Sequence, residues 1–117
     1  MSHTVIDAAD VEPSFGVFRK MRVALGASGF GINQVELPPG ASGRRHDEKE
    51  GGQEEVYIVL SGSGVMRIDG QDVALVPGRW LRVDPNHTRM PIAGSEGLTL
   101  IMVGGTPGRG FVPRDNL

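Results

Sequence analysis

Residues 38–62 read PPGASGRRHDEKEGGQEEVYIVLSG, and this stretch decides the fold. After a Pro-Pro-Gly stop it sets out one histidine (His46), a carboxylate two residues on (Glu48), a further carboxylate (Glu55) entering an apolar run, and Gly62. Residues two apart on a strand face the same way. In a β-barrel this order therefore aims polar, metal-capable side chains at one interior spot. Glu55–Leu60 is the strongest strand of the chain, rich in β-branched and aromatic residues. It is apolar on both alternating faces, Tyr57 and Val59 on one, Val56, Ile58 and Leu60 on the other, so both faces are expected to be covered.

Outward from this stretch the chain reads as strand after strand. Phe15–Leu25 and Phe30–Leu37 are expected strands separated by a turn, and Arg44–Glu48 is a short candidate. Val65–Ile68 and Asp72–Val76 flank Asp69-Gly70, a strong hairpin signal because a type I′ turn needs positive φ at both central residues. Trp80–Val83, His87–Ile92 and Leu98–Val103 complete the series, with Trp80 and Tyr57 expected in the core. Eighteen glycines and eight prolines supply the turns. Short strands with regular turn signals and almost no helical periodicity predict an all-β jelly-roll barrel. The organisation expected is a single domain: an N-terminal arm over residues 1–14, a barrel over 15–104 and a tail over 105–117. The arm is expected either to pair with a sheet edge or a neighbouring subunit, or to fray.

Composition narrows the chemistry. At 117 residues the chain is long enough for one core without staples. The absence of cysteine excludes disulfides, thiolate metal sites and cysteine nucleophiles. A net charge of -2 gives no basic footprint for nucleic acid. No apolar run approaches the ~20 residues of a membrane span. The N-terminus carries acids where a signal peptide needs bases, so a cytoplasmic protein is expected. Ser61 and Ser63 have no recognisable histidine–acid partners, which argues against a serine hydrolase.

The residues of the opening stretch resemble the cupin superfamily, specifically its small single-domain members. The first cupin motif runs G-x(5)-H-x-H-x(3,4)-E-x(6)-G, and Gly40, His46, Glu48, Glu55 and Gly62 fall in that order. The second, G-x(5)-P-x-G-x(2)-H-x(3)-N, is fainter: Gly78 starts it, but Asp84, Asn86 and Arg89 stand for its proline, glycine and histidine. The resemblance covers roughly residues 30–103 and implies the double-stranded β-helix fold. It also implies a metal held by two histidines and a glutamate of the first motif plus the histidine of the second. Here the motif is degenerate, with Glu48 and Arg89 at two of the histidine places. An alternative register puts Arg44 and His46 in the two histidine slots. Glu55 is preferred over Glu54 for the carboxylate, because it shares strand parity with Tyr57 and Val59 and keeps the spacing to Gly62.

His46 and Glu55 are the candidate catalytic residues. Arg89, Tyr57, Glu48 and His87 are expected to line a ligand pocket. His46, Glu48 and Glu55 form a candidate one-histidine, two-carboxylate site for a divalent metal (Mn, Fe, Zn or Ni), with His87 as a fourth donor. Arg89 argues against the metal, since a guanidinium cannot ligate and pairs readily with carboxylates. It is read as a structural ion pair supplying the charge compensation a metal otherwise would. The expected function is therefore binding of a small polar or anionic ligand in the barrel, gripped by Arg89, without a standard metal site. The alternative is a metal-dependent or metal-free acid–base enzyme of oxygenase, isomerase or lyase type using His46, Glu48 and Glu55. A third class is a sensory or structural protein acting through its partners. A homodimer is expected, as in cupins of this size.

Overall fold

Two long antiparallel strands organise the chain. In the computed structural model, which describes residues 2–113 and 117, β3 (Glu54–Ile68) pairs with β6 (Arg89–Gly105) along almost all of its length. Around this pair lie β1 (Phe18–Arg19), β2 (Gly31–Leu37), β4 (Gln71–Leu75) and β5 (Trp80–Val83). The order across the antiparallel sheet is β1-β2-β6-β3-β4, with β5 also on β3.

The sheet closes on itself because β3 and β6 bend together. Their register shifts between Val59 and Ser61 and again between Gly62 and Gly64. A Cβ at Gly62 would strike the Gly97 carbonyl, and one at Gly64 the Ile92 carbonyl, so the strands cross there at a distance only glycine allows. On either side of the bend, Val35, Val59, Leu98 and Leu100 meet Met66, Leu75 and Ala93 in one buried cluster. The result is the expected all-β jelly-roll barrel in a single domain.

The glycines bend the strands where the sequence suggested they would end them. Glu55–Leu60 and Val65–Ile68 therefore belong to one strand, β3, while Arg89–Ile92 and Leu98–Val103 belong to β6. The Asp69-Gly70 turn has the expected positive φ at both residues, 49° and 83°, and sets the Ile68–Gln71 pair.

Phe15–Leu25 departs from expectation. Only Phe18–Arg19 is strand, and Met21–Leu25 forms a helical turn, α1. Four of its five residues (Met, Arg, Ala, Leu) are strong helix formers, and Gly26 closes it in the left-handed region at φ 73°. Arg44–Glu48 makes no regular strand either, with His46–Arg89 as its bridge to β6. Pro91 interrupts the ladder, offering a carbonyl to Gly43 N–H (2.8 Å) but no N–H in return. Trp80, expected in the core, is 69% exposed, because it pairs across the ladder with Ile58 on the outer face.

Part of the N-terminal arm is tied down. The Arg19 guanidinium donates to the carbonyls of Ala8 (2.9 Å) and Val11 (2.6 Å) and to Glu36 on β2 (2.5 Å). Among the described residues no helix is long and apolar enough to cross a membrane.

Candidate functional site

Side-chain size along the inner face sets where the barrel is filled and where it is open. Toward the filled end of the barrel, Val35 lies opposite Leu100 and Leu100 opposite Val59, all buried. One step along, the same strands bring Asn33, Met102 and Tyr57 together, and one step further Gly31, Gly104 and Glu55. At this last level two of the three strands carry no side chain. The space they leave opens into a cavity of about 320 Å³.

The polar wall of the cavity comes from the irregular segment before β3. Arg44, His46 and Glu48 alternate along it and all line the cavity, so strand parity persists although the ladder does not. His46 Nε2 lies 3.3 Å from Glu48 Oε2 and 3.2 Å from Glu55 Oε1. Glu55 is held from behind: Tyr57 donates its hydroxyl to Oε1 (2.6 Å), and Arg89 donates Nε (3.2 Å) and Nη2 (3.0 Å) to the same oxygen. Arg89 also donates Nη1 to the carbonyls of His87 (2.8 Å) and Asp84 (3.2 Å), which fixes the guanidinium against the 84–88 turn.

Charge and hydrogen bonding set the protonation states. Burial pushes the Glu55 carboxyl up, but hydrogen bonds from His46 and Tyr57, with the charges of His46 and Arg89, outweigh it and hold the group below its ordinary value of 4.5. Burial pushes His46 down, and the hydrogen bond and charge of Glu55 reverse this, leaving the imidazole above its ordinary 6.5. Burial, then the charge of Glu55, raise the Tyr57 phenol well above 10.0, so it stays a donor. Glu55 is thus held as an anion, and His46 keeps its proton more firmly than a free imidazole does.

The structure brings His46, Glu48 and Glu55 into one cluster at the cavity wall. Tyr57 and Arg89 sit behind it, 1% and 0% exposed. Arg89 therefore does not grip a ligand as expected: its donors are spent on Glu55 and on backbone carbonyls, outside the cavity lining. His87 also stays apart. Strand parity with Arg89 fails because β6 begins only at Arg89. The imidazole turns outward, 2.6 Å from Asp69 and 3.5 Å from Asp84, so it is no fourth ligand. Glu54 pairs with Arg82 on the outside (2.7 Å), leaving Glu55 as the inward carboxylate.

Several lining residues were missed from sequence: Lys20, Asn33, Gln53 and Phe111. Asn33 was readable, since it shares inward parity with Val35 and Leu37. Phe111 carried no signal, because it lies in a segment without periodicity.

The donor atoms of His46, Glu48 and Glu55 all lie within 4.8 Å of one another. Neighbouring ligands of a first-row cation at about 2.1 Å sit about 3 Å apart. The separations from His46 Nε2 to the two carboxylates fit that arrangement. The demand on Glu55 Oε1 from Tyr57 and Arg89 makes it the weakest of the three donors.

Comparisons with known proteins agree with this architecture. The family model described as the cupin domain matches residues 33–104. A cupin protein from Bacteroides fragilis superposes with a TM-score of 0.79 at 26% identity, covering 100% of this chain and 97% of that one. A sugar phosphate isomerase of the cupin superfamily from Silicibacter pomeroyi gives 0.66 at 28% identity, over 74% of this chain and 57% of that one. A predicted oxalate decarboxylase from Thermotoga maritima gives 0.69 at 22% identity, over 86% and 97%, a likeness of fold. Among curated proteins none matches the chain.

Proposed function

The chain belongs to the cupin family, and from that premise we propose that it binds a small organic acid in the open end of its barrel, with His46 as the proton-carrying group beside it. The observation that carries this reading is the split character of the cavity lining. Phe15, Phe18 and Met102 offer an apolar wall, while Lys20 and Arg44 supply cations with no ion-pair partner among the described residues. Arg44 takes over the gripping role first expected of Arg89. An acid with an apolar body satisfies both surfaces, its carboxylate on Arg44 and Lys20 and its body against the aromatic wall.

Thermal shift with a panel of small monocarboxylic and sugar acids tests the reading. One or more acids should raise Tm in the wild type, and the gain should vanish in Lys20→Ala/Arg44→Ala. A shift that persists in the double variant, or a panel without any shift, counts against it.

The alternative reading is an enzyme, and the His46–Glu48–Glu55 cluster favours it. His46 carries a proton below its raised pKa and is placed against both carboxylates, the requirement for acid–base chemistry on a bound acid or sugar. The Silicibacter relative is a sugar phosphate isomerase, and isomerisation is chemistry of this proton-transfer kind. A divalent metal (Mn, Fe, Zn or Ni) would be held by the same three residues and would supply Lewis-acid polarisation of a ligand oxygen. His46 must lose its proton to ligate, so metal and proton compete for Nε2. Stoichiometric metal in protein purified without chelator supports the metalloenzyme. Metal uptake only after Arg89→His supports the ion pair as its replacement.

A further inference from the structure

Asn33 stands out against its surroundings. It occupies an inward position of β2, is 5% exposed, and faces Met102 across the ladder. Its Oδ1 is buried without a hydrogen-bond partner, a state found at no other buried side-chain N or O among the described residues. Its Nδ2 makes one long bond, 3.4 Å, to the Leu117 carbonyl. A buried carbonyl left unpaired is destabilising, whereas an apolar residue of the same shape there is close to neutral or stabilising. Met102, its partner across the ladder, is apolar and suits a leucine beside it. Stability alone gives asparagine no reason to be there.

We propose that Asn33 is a ligand-recognition residue and that the ligand of this cavity is a hydroxy acid whose hydroxyl donates to Asn33 Oδ1. This rests on the reading of the cavity as an organic-acid site and adds to it a third point of contact. The unpaired atom is an acceptor, so its partner must carry a hydrogen; a second carboxylate or a phosphate offers only acceptors at neutral pH. An ammonium would also donate, but it would sit beside Lys20 and Arg44, the lining cations that take the carboxylate.

The cover over Asn33 is lightly held. The Phe111 ring packs over Gly31, where a Cβ would meet it at 3.3 Å, and Leu117 reaches the Asn33 amide by that 3.4 Å bond. Gln53 Nε2 reaches the Val112 carbonyl only at 3.4 Å. A hydroxyl donated to Oδ1 pairs the one atom that lacks a partner and leaves the Nδ2 bond as it is.

Calorimetric titration with matched acids tests the proposal: 3-phenyllactate against 3-phenylpropionate, and 2-hydroxyhexanoate against hexanoate. In the wild type the hydroxylated member of at least one pair should bind about tenfold more tightly, the value of one well-placed hydrogen bond. Asn33→Leu, with Asn33→Ala in case leucine overfills the site, should bind both members of that pair equally while its Tm matches or exceeds that of the wild type. Equal binding within both pairs in the wild type overturns the role of Asn33 and leaves the organic-acid reading standing. Discrimination that persists in the folded variant also overturns it. Binding of none of the four acids at millimolar concentration overturns the organic-acid reading and this inference together.

Discussion

The two ends of the barrel are built from the same strands in the same register, yet one is filled and the other open. Around Leu100, each inward position of β2, β3 and β6 carries a branched aliphatic residue, and all three are buried. Two inward steps along the same strands, the positions read Gly31, Gly104 and Glu55, with Arg89 and His46 converging on the carboxylate. The fold is indifferent to this change because backbone pairing is identical at both ends. What differs is the source of stability: packing at the filled end, a compensated charge cluster at the open one.

The sharpest way to break this contrast is to remove the compensation. Arg89→Ala leaves Glu55 buried without its guanidinium and frees two backbone carbonyls, and should cost about 3–5 kcal/mol in urea denaturation at neutral pH. A loss below about 1 kcal/mol would mean that Arg89 is not what holds the open end. At the filled end Leu100→Ala should cost about 2–5 kcal/mol by cavity formation and leave acid binding unchanged in the surviving folded protein. Gly104→Ala should do the reverse. Its Cβ meets the Gln53 side-chain oxygen at 2.9 Å, the mobile end of a flexible side chain. Stability should stay within about 1 kcal/mol of wild type, while acid binding, read by titration, weakens as the cavity narrows.

A smaller effect distinguishes the ends by pH. The folded pKa of His46 is raised above 6.5, so its contribution is complete below that value and is lost as pH rises through the folded pKa. Glu55 is lowered below 4.5, so its contribution is present above that value and is lost as pH falls through the folded pKa. Stability should therefore be highest between about pH 4.5 and 6.5 and decline on the alkaline side as His46 loses its proton. His87, raised by Asp69, contributes with the same sign. In a His87→Gln background, His46→Gln should flatten the remaining alkaline decline, and an unchanged slope would remove His46 from the account.

The smallest expected effect on fold lies outside the barrel. Leu60 and Trp80 are 47% and 69% exposed on the outer face of β3 and β5, next to Ile58. We propose that a second copy of the chain covers this face. Light scattering should give a dimer at micromolar concentration, and Trp80→Lys should give a folded monomer.

Much of the barrel was legible because its signals are local. The alternation at Glu55–Leu60, the Asp-Gly turn and the proline stops each report on a few neighbouring residues. The cluster of His46, Glu48 and Glu55 was legible for the same reason, through spacing and parity. What failed depended on contacts distant in sequence. Glycines that bend a strand and glycines that end one look alike until the partner strand is known, so β3 and β6 were each divided. The short helix at Met21–Leu25 was hidden by apolar residues that suit either state. Arg89 was read both as an ion pair with a carboxylate, which it makes with Glu55, and as the grip on a ligand, because its side-chain length does not reveal whether it reaches outward into the cavity or back to Glu55. Phe111 and Lys20 join the cavity from outside the barrel's regular alternation, where no period exists to read.

The bend at Gly62 and Gly97 has a consequence for how the molecule comes to be folded. β6 supplies the partner for both β2 and β3, and it is the last strand of the barrel in the chain. The hairpin of β3 and β4 can close through its tight turn alone, a microsecond event. The β1–β2 and β3–β5 pairings also form without β6, but the joining of β2 to β3 waits for it and must first close a long loop, the costly step in folding sheets of this kind. Until residues 89–105 are in place, the unpaired edges of β2 and β3 are exposed to other chains, and sticking at those edges is the hazard that accompanies assembly of this barrel.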